Sequence, residues 1–130
     1  MGNTQEQKQK IQNFTDLEAW KAAHELAVAV YAMTKKYPRE EIFGITNQMR
    51  RAAVSVTSNI AEGFSRNSPK EKTQFYSIAK GSLTELESQI LISRDVGLVS
   101  ANGFSDMEQL IRQASKLLTG LLRYTQTRYE

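Results

Sequence analysis

The stretch Gln48–Arg66 restricts the possible folds more than any other part of the chain. It reads as a helix, yet not as one that serves a single core. At about 100° per residue, Ile45, Met49, Ala52, Ala53, Val56, Ile60 and Gly63 share one stripe. Gln48, Arg51, Ser55, Ser58, Asn59, Glu62 and Arg66 share a second, polar but built partly from small side chains. Val54, Thr57 and Ala61 make a third patch behind the first. An ordinary surface helix has one apolar stripe and one long charged face. Here small side chains recur nearly all the way round, so neighbouring backbones can approach on several sides. The stretch is therefore read as the central helix of a bundle, with a face left over for another subunit.

The flanking segments supply its partners. The first ten residues are polar and without periodicity, so residues 1–13 are expected to form a flexible tail ahead of a domain at 14–130. Thr15-Asp16-Leu17-Glu18 has the form of a capping box. Trp20, Ala23, Ala27, Val30, Tyr31 and Thr34 then recur at helical spacing, and Tyr37-Pro38 predicts the stop, because the residue before proline disfavours helical geometry. Arg39–Phe43 leads through Gly44 into the central helix, predicted to end near Arg66. Ser68-Pro69-Lys70-Glu71 predicts a helix start with Ser as N-cap, Pro in the first turn and Glu closing the box. Phe75, Ile78, Ala79, Ser82, Leu83, Leu86, Gln89 and Ile90 form its stripe, and Gly97 marks a C-terminal stop. Ser105-Asp106-Met107-Glu108 predicts the opening of a last helix, with Met107, Leu110, Ile111, Ala114, Leu117, Leu118, Leu121 and Leu122 on its apolar face. Four helices with short connections and no strand alternation predict an all-α, antiparallel, up-down-up-down four-helix bundle.

Composition narrows the function. A chain of 130 residues fits one domain with a moderate core. There are no cysteines, which excludes disulfides and thiolate metal sites. No apolar run approaches the ~20 residues of a membrane span, and the N-terminus lacks a secretory apolar segment. Met1-Gly2 opens like a myristoylation site, but Glu6 stands where Ser or Thr is needed. The expectation is a cytoplasmic protein with no membrane role. A net charge of +3 is too small to imply nucleic acid unless the cations cluster.

Arg50-Arg51-Ala52-Ala53-Val54-Ser55 followed by Ser58-Asn59-Ile60-Ala61-Glu62-Gly63 resembles the signature of the bacterial 23S rRNA intervening-sequence proteins. Asp16-Leu17 with Trp20, Tyr31 with Thr34 and Pro38, and Phe75, Ile78-Ala79, Gly81-Ser82, Glu85-Leu86-Glu87 and Gln89 resemble other parts of that family's pattern, so the resemblance runs from Phe14 to Tyr124. It implies an all-α bundle assembling into a homo-oligomeric ring, typically of five copies. More distantly it is similar to the accessory proteins of diversity-generating retroelements, which form such rings and bind nucleic acid and a reverse transcriptase. It implies no catalytic residue. One position departs: the family commonly carries proline where Thr57 stands. Proline there removes a helical hydrogen bond and kinks the helix, so a straighter helix is expected.

Individual residues favour structural roles. His24, the only histidine, lies at the edge of the first apolar stripe, and Lys21 stands where a Glu-x-x-His metal motif needs a carboxylate. No base–nucleophile pair is evident. Glu85 and Glu87 project from different sides of their helix and are no acid/base pair. No catalytic residue, metal or cofactor is expected. Glu62, one turn from Ser58 and Arg66 with Arg51 on the same face, has two readings: a polar binding site, or a register-fixing network, which is preferred. Ser82 and Gln89 are expected to satisfy neighbours inside the bundle, Tyr31, Phe75 and Trp20 to be core before they are base-stacking platforms, and Gly63 and Gly81 to mark close helix contacts.

The resulting expectation is a non-enzymatic, oligomeric binding or scaffold protein linked to nucleic acid, RNA or a ribonucleoprotein. The alternative is a structural adaptor for another protein with no nucleic-acid role. Candidate oligomer-interface residues are Arg51, Val54, Ser55, Thr57, Ser58, Asn59, Ala61 and Glu62. Antiparallel topology brings Arg66, Lys70, Lys72, Arg123 and Arg128 to one end of the bundle, with Lys8 and Lys10 of the tail nearby, and Arg112, Lys116 and Arg123 share a stripe of the last helix. These cations are the candidate nucleic-acid contacts.

Overall fold

In the computed structural model, which describes residues 10–128, the chain enters its first helix through a 3-10 turn at Phe14–Asp16. The expected tail falls mainly on residues 1–9, Lys8 included, which lie outside the described residues; Lys10 to Asn13 are exposed. The capping box is at Asn13 and Asp16, not at Thr15 and Glu18. Asn13 Oδ1 accepts the Thr15 N–H at 3.1 Å, and Asp16 Oδ2 accepts the N–H groups of Gln12 and Asn13 at 2.8 and 3.1 Å. Those backbone donors, Gln12 first, hold the Asp16 carboxyl below its usual range. Helix α1 (Glu18–Thr34) starts after Leu17 with no side-chain cap.

Three further helices follow: α2 (Ile45–Phe64), α3 (Pro69–Asp95) and α4 (Ala101–Gln126). A second 3-10 turn, Arg39–Glu41, lies between α1 and α2. No strand occurs among the described residues, and the architecture is a four-helix bundle. Each helix packs on its chain neighbours, α1 closes against α4, and the α2–α3 pair is the most extensive. The α2–α3 register is antiparallel: Met49 meets Ser93, Ser55 meets Ser82, and Gly63 abuts Tyr76. Helix α2 runs unbroken through Thr57, whose hydroxyl donates to the Val54 carbonyl at 2.8 Å.

The expected stripe of α2 is the buried one, with Thr46 in place of the half-buried Ile45. In α1 the core takes Ala19, Ala22, Ala23, Leu26, Ala27, Val30 and Thr34. Trp20 only packs against its edge, and Tyr31 is exposed, because the small alanine face turns inward and lets α2 approach closely. In α3 the buried face is Thr73, Tyr76, Ala79, Leu83, Leu86, Gln89, Ile90 and Ser93. Phe75 and Ser82 are half-buried and Ile78 is exposed, so the real face is rotated from the expected one. The cause is Gly63, whose missing side chain makes room for the Tyr76 ring. In α4, Met107, Ile111, Ala114, Leu118, Leu122 and Thr125 are buried, with Leu110, Leu117 and Leu121 packed beside them.

Helix ends also refine the expectation. α2 ends at Phe64, before Arg66. Ser68 caps α3 by accepting the Glu71 N–H at 3.1 Å; no reciprocal bond from the Glu71 side chain accompanies it. Gly97 adopts φ +82°, the left-handed geometry that suits glycine, and ends α3 in a Schellman motif: Leu98 N–H bonds Ser93 O at 2.8 Å and Gly97 N–H bonds Arg94 O at 3.2 Å. α4 begins earlier than expected. Ser100 is its N-cap, accepting the Gly103 N–H at 3.0 Å, and Ser105 already lies inside the helix.

Gln89 does not complete a polar network. Its Oε1 is buried without a partner, while Ser82 pairs with Ser55 at 2.7 Å. His24 is exposed and stacks on Trp20, ring centres 4.7 Å apart, while Phe14 meets the same indole edge-on.

Candidate interaction surfaces

The outer face of α2 carries the first surface. Arg50 is fixed by its surroundings: Nε donates to Thr34 Oγ1 at 2.9 Å, and the guanidinium lies 4.7 Å over the Tyr31 ring. Its neighbour Arg51 is exposed and borders two hollows. One, of about 540 Å³, lies toward α1 and is lined by Tyr31, Asn47, Arg50, Arg51, Val54 and Ser55. The other, of about 280 Å³, lies toward α3 with Gln48, Ala52 and Glu85 in its wall.

The eight expected interface residues divide by what they touch. Ser55 and Asn59 serve the bundle itself: the Ser55–Ser82 pair ties α2 to α3, and Asn59 Nδ2 donates to Ser55 O and Oγ at 2.8 and 3.1 Å. Arg51, Val54, Ser58 and Glu62 are exposed, and Thr57 and Ala61 are half-buried. Val54 keeps 42% of its surface in solvent, like Tyr31 beside it, and Val28 on α1 keeps 57%. Exposed apolar residues together on one face make that face a candidate for self-association. Ala61→Arg is therefore expected to abolish self-association while leaving far-ultraviolet helicity intact; light scattering at high micromolar concentration checks both states, and a monomeric wild type refutes the interface.

The expected basic residues also divide. Arg66 Nη2 pairs with Glu62 Oε2 at 2.9 Å, and its guanidinium lies 4.7 Å over the Phe75 ring; its Nε is buried without a partner. Lys72 Nζ donates to the Phe64 carbonyl at 2.6 Å, closing the C-terminus of α2, and burial lowers its pKa. Arg112 pairs with Glu108 at 3.6 Å, and Arg128 covers the Tyr124 ring at 4.2 Å. Lys70, Lys116 and Arg123 are exposed and pair with no carboxylate among the described residues.

Arg123 also borders a groove between α3 and α4 of about 530 Å³, with Ser77, Lys80, Gly81, Thr84, Thr119, Leu122 and Gln126. Lys80 and these hydroxyls are not among the contacts expected from the sequence. The signal was there: positions 77, 80, 81 and 84 repeat at helical spacing, but as polar residues outside any known motif. Gly81 is not a close-contact glycine, since a Cβ there meets nothing within 4 Å; Gly63 is one, with Tyr76 Cε1 at 2.7 Å. Among the described residues no group of three His, Asp or Glu side chains is placed to hold a metal ion, and no helix is long and apolar enough to cross a membrane.

The fold defines an all-α four-helix bundle. The chain belongs to the 23S rRNA-intervening sequence protein family, whose model matches residues 15–120. Its fold is similar to that of a protein of unknown function from the S23 ribosomal protein family of Bacteroides thetaiotaomicron, with a TM-score of 0.75 at 19% identity over 81% of this chain and 95% of that one. No curated protein matches the chain in sequence.

Proposed function

We propose that this chain is a non-enzymatic binding protein of the cytoplasm that assembles into a homo-oligomeric ring, five copies by its family resemblance, and engages nucleic acid, as RNA or a ribonucleoprotein, through its basic surface. One observation carries the reading: Lys70, Lys116 and Arg123, on the α3–α4 side, have no acidic partner among the described residues, whereas Arg66, Lys72 and Arg112 are bonded within the chain. The family's link to 23S rRNA intervening sequences supports it. Phosphate contacts of this kind act through counterion release, so they tolerate sequence and weaken steeply with salt. Repetition round a ring multiplies modest contacts into avidity. Charge reversal at Lys70 and Arg123 together is expected to abolish a mobility shift with RNA at low salt, and reversal at Lys35 and Lys36 to change it little. A wild-type oligomer that shifts neither RNA nor DNA overturns the reading. The exposed Val28, Tyr31 and Val54 favour a second reading, an adaptor for another protein.

A further inference from the structure

The groove between α3 and α4 has a feature that the bundle itself does not require. Gly81 sits inside α3, where a glycine is less favourable than an alanine. Its backbone needs no glycine, since Gly97 alone among the described residues has positive φ. Its packing needs none either, because a Cβ there meets nothing within 4 Å. What the missing side chain leaves is open space in the groove wall.

The lining of that space is one-sided in chemistry. Lys80 comes from α3 and Arg123 from α4, and no carboxylate lines the groove among the described residues. The hydroxyls of Ser77 and Thr119 carry no hydrogen bond among the described residues, so both can donate outward. Two cations and free hydroxyls without an acid select an anion with several oxygens. Packed helices lie about 8–10 Å apart between axes, which lets Lys80 and Arg123 grip one extended chain of charges from opposite walls. A duplex, whose phosphates wrap a wide convex cylinder, cannot enter such a cleft. A single strand can. Among the described residues no aromatic ring lines the groove, so the grip is on the backbone and does not read the sequence of the strand.

We propose that the α3–α4 groove is a binding site for the phosphodiester backbone of a single nucleic-acid strand, gripped by Lys80 and Arg123 with hydroxyl support from Ser77 and Thr119. This deepens the nucleic-acid reading above and rests on it. The test uses the full chain and a labelled short oligouridylate, with binding followed by fluorescence anisotropy across a salt series. Lys80→Ala and Arg123→Ala are each expected to weaken binding about tenfold and to lower the salt slope by about 0.7. Gly81→Leu, which fills the groove without touching charge, is expected to weaken binding at least as much, with helicity retained. Gly81→Ala is expected to raise the melting temperature. Lys36→Ala, on the connection after α1, is expected to leave binding unchanged. If the wild type binds the oligouridylate and all three groove variants bind as well as it does, the groove assignment falls while the nucleic-acid reading stands. If the wild type binds no nucleic acid, both fall. Preference for duplex over single strand, or groove-dependent binding of inorganic tripolyphosphate without any binding of the oligouridylate, overturns the assignment of a nucleic-acid strand.

Discussion

Truncation of Tyr76 to alanine is expected to lower the unfolding free energy by about 3–5 kcal/mol, and truncation of Phe75, the next residue along α3, by clearly less. The two rings differ in what surrounds them. Tyr76 is 2% exposed and lies against the backbone at Gly63, so its removal leaves a cavity between the two most extensively packed helices. Phe75 is half-buried under the Arg66 guanidinium, and solvent can fill much of what it vacates. Urea midpoints at equal slope measure the difference, and equal losses from the two variants place the α3 face wrongly. The same burial pushes the Tyr76 hydroxyl up to about 12 from 10.0, through desolvation of the charged form. A pKa raised on folding means that the unfolded chain loses its proton first. The associated stability is complete below pH 10 and drains away as pH climbs toward about 12. Tyr76→Phe removes that part of the alkaline sensitivity.

The second large effect is expected at Gly63. A Cβ on this residue comes to 2.7 Å from Tyr76 Cε1, 2.9 Å from Tyr76 Cδ1 and 3.0 Å from Phe75 Cβ. The Tyr76 ring is enclosed and cannot swing aside, so the helices must part. Gly63→Val is expected to cost about 1–3 kcal/mol through overpacking, even though valine forms helix better than glycine by a few tenths of a kcal/mol. Calorimetry checks the sign: the melting temperature falls for Gly63→Val and rises for Gly81→Ala. A rise at both sites means that α2 and α3 are not in close contact at Gly63.

Those two glycines show what the sequence does and does not disclose. The stripe of α2 is legible because its members are small or aliphatic and fall at strict helical spacing; only Thr46 displaces Ile45. The face of α3 is legible only in part: Ala79, Leu83, Leu86, Gln89 and Ile90 are buried as expected, but polar residues mark its edge. Thr73, Gln89 and Ser93 are buried, while the apolar Phe75 and Ile78 draw the eye to the wrong side of the helix. The depth of Tyr76 follows from a missing side chain on another helix, and no local pattern records that. Capping signals mislead for a related reason. Two overlapping candidates, Asn13–Asp16 and Thr15–Glu18, both require the Thr15 N–H, and Asn13 takes it. Ser100 is hidden as a cap because Gly103 stands where a capping box has Glu or Gln. The outer face of α2 is half legible: exposure of Val54 and Arg51 follows from periodicity, while the engagement of Ser55 by Ser82 needs the third dimension. The basic residues are least legible, since formal charge says nothing of whether Arg66 or Lys72 is already bonded to its own chain.

The order in which the helices touch has a kinetic consequence. Every packed pair except one joins consecutive helices, so loop closure demands little entropy and assembly is expected to be fast. The turn at residues 65–68 makes α2–α3 the easiest hairpin to close, and the most extensive packing is found there. The exception is the seam between α1 and α4, whose halves lie far apart along the chain. That seam is expected to close last, since it closes the longest loop. With residues 35–44 as a tether, α1 is the helix that a neighbouring copy can most readily borrow.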